Sequence, residues 1–121
     1  MKTRVETFAP EHQVALGGDA NVAIINQQTG PAMTLMTDER KPEIIGCGGI
    51  RIDGIGQAWA QFSPAALKDM PIAIIRQSKQ WLHEMMVAHK LYRLYAEASE
   101  GVDTGWFKAV HFRPDNRLFV R

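Results

Sequence analysis

The sequence holds a single cysteine, Cys47, in 121 residues. One thiol cannot close an internal disulfide, which excludes a disulfide-stapled secreted scaffold and fits a reducing compartment. No apolar run approaches the ~20 residues that a bilayer core requires, so no membrane span is expected. The opening Met-Lys-Thr-Arg-Val-Glu-Thr lacks the apolar stretch of a secretory signal, and a cytoplasmic location is expected. An excess of one charge is missing as well. Fourteen basic against thirteen acidic residues leave +1, which argues against a general affinity for nucleic acid or a membrane surface. The four histidines show no ligand spacing. His83 and His89 are six apart, so they leave a helix on different sides, and no metal is expected. Linkers, repeats and low-complexity tracts are absent. What is present is 45% hydrophobic and 22% charged, the composition of an ordinary globular chain, here one domain over 1–121 with one core.

The stretch from Glu43 to His89 organises the rest. Glu43–Ile52 reads as a strand, Asp53-Gly54 as a turn, and Gln57–Phe62 as a second strand with Gln/Trp/Gln on one face and Ala/Ala/Phe on the other. Gly46, Gly48 and Gly49 inside the first strand point to a bulge or a close backbone approach. Cys47 on that strand reads as an inert buried thiol. Ser63-Pro64 ends the second strand, because proline cannot donate to a ladder. A loop to Asp69 follows, then a helix from about Met70 to His89 with Asp69 as its N-cap and Pro71 in its first turn. Ile74, Ile75, Ser78, Trp81, Leu82, Met85 and Met86 form its inner stripe, at spacings of three and four.

Upstream, Lys2–Phe8 reads as a short edge strand and Pro10–Leu16 as a short helix closed by Gly17-Gly18. Asp19 caps a helix through Asn26, with a strand as the alternative because Val22, Ile24 and Ile25 are β-branched. Ala32–Thr37 is a strand. Downstream, 91–98 reads as a strand parallel to 57–62 through a right-handed βαβ crossover. Asp103 caps a last helix through about His111, and Arg117–Arg121 is a closing strand. Arg113, Arg117 and Arg121 read as a solvated edge, or as a contact for an acidic partner. The fold class is therefore α+β: a mixed sheet in which an antiparallel meander precedes a βαβ crossover.

The loop before the long helix bears on function. Free N–H groups at a helix start bind phosphate, and Lys68 could assist. Pro71 removes one donor, and Asp69 puts negative charge where a phosphate would sit.

Three segments, Ile44-Ile-Gly-Cys-Gly-Gly-Ile50, Gly56-Gln-Ala-Trp-Ala-Gln-Phe-Ser63 and Trp106-Phe-Lys-Ala-Val-His-Phe-Arg113, in this order around the long helix, resemble the GCN5-related N-acetyltransferase (GNAT) fold. Within that fold the chain resembles the small GNAT-like proteins of tailed phages, a group that includes the internal virion protein A of T7-like podoviruses. The resemblance implies that an acyl-CoA, if bound, would lie against Trp59, Phe62, Ser63, Lys68, Met70, Ile72 and Trp106. It also implies departures. The diphosphate loop has no glycine. The position of the family's frequent catalytic Tyr falls on Phe107, which has no proton to give, and the glycine before the final Phe is His111. Glu97 and Glu100 are the candidate bases. The resemblance thus implies a degenerate acetyl-CoA site and a non-catalytic phage or prophage protein. Such a protein would act through other phage or host proteins in the infected cell, or with the virion, and needs no cofactor. The groove would then be filled by Trp59, Phe62 or Trp106. The alternative is an acetyl-CoA-dependent N-acyltransferase acting on a protein or small-molecule amine.

Overall fold

The computed structural model describes residues 2–53, 55–91, 93–97, 105–115 and 118–121. Among the described residues, seven strands form one sheet in the order β1-β2-β3-β4-β5-β7-β6. They are β1 (Thr3–Thr7), β2 (Ala32–Thr37), β3 (Ile44–Asp53), β4 (Ile55–Phe62), β5 (Leu94–Glu97), β6 (Arg113–Asp115) and β7 (Leu118–Val120). The helices are α1 (Pro10–Ala15), α2 (Ala20–Gln28), α3 (Pro64–Asp69), α4 (Pro71–Ala88) and α5 (Gly105–Ala109). Strands β1 to β4 form an antiparallel run, β5 joins β4 in parallel, and β7 and β6 close the far edge antiparallel. The expected meander, crossover and mixed sheet are thus present.

Helices α1 and α2 cover one face. Asp19 caps α2 by accepting from the N–H groups of Asn21 and Val22, which settles that segment as a helix. Phe8, Ala23 and Cys47 are buried beneath, beside Trp59. A polar chain ties the layers together. Gln61 accepts from Gln13 at 3.2 Å, Gln13 accepts from Asn26 at 3.0 Å, and Asn26 accepts from Arg51 at 2.7 Å. Asn26 and Gln13 are buried, so these bonds meet a need that would otherwise cost about 1–3 kcal/mol per group.

Helix α4 packs on the opposite face through the expected stripe. Ile74, Ser78 and Leu82 are buried, and Ile75, Trp81, Met85 and Met86 pack at their flanks. Two clusters lie beneath it. One holds Ile50, Leu82, Leu94, Phe107 and Phe112; the other holds Leu35, Ile45 and Ile74. The register shifts between Leu35 and Met36, so Ile45 bulges beside Gly46. The Phe62 ring occupies the space a side chain on Gly46 would need, and Trp59 Nε1 lies 2.8 Å from where a Cβ on Gly49 would stand.

Several boundaries differ from expectation. Residues 63–69 are not a loop, because Ser63 caps a short helix, α3. Asp69 is therefore the last residue of α3 and not an N-cap; Met70 takes that place with no side-chain cap. The β5 strand is shorter than 91–98, because Leu91 instead closes α4, donating its N–H to the Met86 carbonyl at 2.8 Å. Strand β6 is additional. Arg121 is not a solvated edge: its guanidinium donates to the Val110 carbonyl at 2.7 Å, and burial lowers its pKa. Gly54, Tyr92, Ala98, Asp103 and Arg117 lie outside the described residues.

Three helices end in the same way. In each, the residue after the C-cap is left-handed, and two backbone bonds turn back onto the last turn. Gly17 fills the position after α1 at φ 93°. Lys90 does so after α4 at φ 54°, and His111 after α5 at φ 73°. The latter two carry side chains in a region that favours glycine.

Candidate functional site: a groove where the sheet splays

Among the described residues, strand β4 pairs with β5 only through Gly56 with Leu94 and Gln57 with Tyr95. Beyond these residues the strands separate, and among the described residues β4 continues to Phe62 against β3 alone. A cavity of about 820 Å³ opens there, lined by residues of β2 to β5 and of all three helices on the α4 face. Small residues make the room. Gly46, Gly48, Ala58 and Ala60 line its sheet side, with Ser78, Trp81 and Leu82 of α4 opposite. Trp106 and Phe107 of α5 stand at the splay. The Trp106 ring lies 5.7 Å from Phe62 and 5.4 Å from Phe107, and Phe107 packs edge-on against Phe112.

The groove is apolar and nearly uncharged. Among its lining residues only Cys47 and Glu97 can ionise. Burial pushes the Cys47 thiol up to about 12, so it stays protonated at neutral pH and is a poor nucleophile. Glu97 is exposed on β5. Two indole donors, Trp59 Nε1 and Trp106 Nε1, are shielded from solvent without an acceptor. Among the described residues no group of three His, Cys, Asp or Glu is placed to hold a metal ion, and no helix is long and apolar enough to cross a membrane.

The residues singled out from sequence divide. Trp59, Phe62, Trp106, Phe107 and Glu97 line the groove. Ser63, Lys68, Met70 and Ile72 do not. Ser63 spends its hydroxyl on the Ala66 N–H at 3.3 Å. Lys68 is exposed in the last turn of α3, Met70 packs against the cluster around Leu35 and Ile74, and Ile72 is 71% exposed. Glu100 lies outside the described residues. The expectation of a filled groove is corrected: Phe62 and Trp106 form a wall and leave the space open, while Trp59 turns its ring to Phe8, 5.3 Å away, on the other face. Sequence reasoning missed Ser78 and Trp81 as lining residues, although both sat on the recognised inner stripe of α4. It also missed the alanines of β4, whose only signal was their small size.

At the far end of the groove several amides are already committed. A cradle needs several backbone N–H groups converging on the anion. Here the Ala66 N–H goes to Ser63 Oγ, the Leu67 N–H to the Ser63 carbonyl at 3.0 Å, and the Met70 N–H to the Ala66 carbonyl at 2.8 Å. Pro71, at the first position of α4, has no N–H.

These strands, the splay and the crossover helix define the GNAT acetyltransferase fold. The chain is similar in structure to an acetyltransferase from Streptococcus agalactiae, with a TM-score of 0.68 at 12% identity over 98% of this chain and 95% of that one. It is similar to a GNAT-family acetyltransferase from Bacillus anthracis, with a TM-score of 0.67 at 9% identity over 99% and 93%. A third similar structure is a mutant of the toxin AtaT bound to the C-terminus of the antitoxin AtaR and acetyl-CoA, with a TM-score of 0.58 at 11% identity over 98% and 92%. No family model and no curated protein matches the sequence.

Proposed function

We propose that this chain is a GNAT-fold protein with a degenerate acetyl-CoA site that does not catalyse acetyl transfer and works by contacting other proteins. The observation that carries the reading is the closed helix at Ser63–Asp69. The Ala66, Leu67 and Met70 amides bond within this turn or to its Ser63 cap, which leaves fewer of them for a diphosphate. Phe107 adds to it, since a buried phenyl ring stands where the resemblance places a proton donor. The setting is that of a phage or prophage protein, with phage or host proteins as partners during virion assembly or in the host cytoplasm. That setting rests on the sequence resemblance. The test is a thiol-release assay with acetyl-CoA and a panel of generic amines. No release above the uncatalysed rate is expected, and clear turnover overturns the reading.

A second reading has one observation in its favour. The groove is open, and a protein of this fold has been solved with acetyl-CoA. In that reading the chain is an N-acyltransferase acting on a protein or small-molecule amine, and Glu97, which lines the groove, is a candidate base.

A further inference from the structure

Among the described residues, the splay leaves a strand edge without a partner. The Ser63 N–H donates to the Ile45 carbonyl at 2.8 Å. Antiparallel pairing alternates, so Gln61, Trp59 and Gln57 direct their backbone groups to β3, and Phe62, Ala60 and Ala58 direct theirs away from it. Pairing with β5 ends at Gln57 among the described residues, so the N–H and C=O of Ala60 and Phe62 face the open groove. The walls beside this edge are apolar. Trp106 stands beside this edge, its ring 5.7 Å from that of Phe62. Among the described lining residues Glu97 carries the charge at the mouth, and none is a cation. A fatty acid or a phosphate compound would bring negative charge to a carboxylate. An extended peptide would bring alternating amides, apolar side chains and, at one position, a cation.

We infer that the groove receives an extended segment of a partner protein, added as a strand to β4, with apolar side chains against Phe62, Trp81 and Trp106 and a Lys or Arg beside Glu97. Backbone pairing to the edge gives affinity, and the side-chain contacts give selectivity. This inference rests on the proposed protein-contact role and names the chemistry of the partner.

The test uses the full chain and two blocked hexapeptides of alternating valine and threonine, one with a terminal lysine and one with glutamate in its place. Binding is followed by the NMR shift of the Trp106 indole N–H. The lysine peptide is expected to bind at least about tenfold tighter than the glutamate peptide. Ala60→Pro deletes one donor on the free edge without touching a β3 bond and should abolish that binding. Glu97→Lys should reverse the preference, which keeps the inference exposed if the proline variant fails to fold. Equal affinity for both peptides, no binding up to about 1 mM, or an unmoved Trp106 signal overturns the inference. Acetyl-CoA turnover is measured separately, and its appearance sinks the protein-contact reading whatever the peptides do.

Discussion

The Ser63 hydroxyl accepts the backbone N–H of Ala66 at 3.3 Å, and this contact caps the short helix Pro64–Asp69 beside the groove. Ser63→Gly should loosen that cap. An N-cap serine replaced by glycine costs only a few tenths of a kcal/mol, so the fold should survive. A single opened cap does not restore several convergent donors, and acetyl-CoA affinity should rise by less than about tenfold. A larger gain by calorimetry would show that the cap alone closes the site.

Leu82 anchors α4 over Ile50, Leu94 and Phe107 and is 6% exposed. Leu82→Ala should cost ~2–5 kcal/mol, the range for large-to-small changes in a packed core. Urea unfolding reads this directly. A loss under ~0.5 kcal/mol, the scale of surface changes, would contradict the packing described.

His111 is exposed at φ 73° and its Phe112 neighbour closes α5 onto the Phe107 carbonyl at 2.7 Å. Left-handed backbone costs an L-residue roughly 1–2 kcal/mol, and glycine's extra unfolded-state entropy returns about 0.5–1 kcal/mol of that. His111→Gly should therefore stabilise by up to about 1 kcal/mol, and His111→Val should destabilise. Melting temperatures moving in the opposite order would refute the closure.

Cys47 should resist alkylation in the folded protein at pH 8 and react once denaturant exposes it. The linkage sign follows from its thiol, which ionises near 9 by default and near 12 here. Between those values the unfolded state holds fewer protons, so stability should fall as pH rises through that window. Rapid iodoacetamide labelling of the native chain at pH 8 would mean that the thiol is not buried.

Much of the fold was legible. Ala32–Thr37 and the α4 stripe follow from periodicity, and Asp19 from its place before Ala20. The α3 helix was legible in principle, since Ser63-Pro64 is an N-cap followed by a first-turn proline; the same pair also stops a strand, and that reading masked it. Strand β6 has three residues, too few for alternation to register. The groove could not be foreseen as open, because its volume comes from Gly48, Ala58 and Ala60 standing opposite Ser78 and Trp81 across two elements. Which ring fills a space depends on direction, and Trp59 points to the other face from Phe62 on the same strand.

Phe107→Tyr separates a lost proton donor from a lost cofactor site. General acid help is typically worth ~10²–10⁴-fold, so an enzyme limited only by that step should gain turnover. On the proposed non-catalytic reading, no thiol release is expected from either form. Release by the variant alone would mean that the missing hydroxyl was the sole defect.

The most direct measurement is a calorimetric titration of the purified chain with acetyl-CoA. Each lost charge-assisted bond to a phosphate removes roughly 1.5–3 kcal/mol, and each 1.4 kcal/mol is about tenfold. With the Ala66, Leu67 and Met70 amides committed elsewhere and Pro71 without one, the account predicts a Kd weaker than ~100 µM. A low-micromolar Kd, or coenzyme A retained through purification, would contradict it.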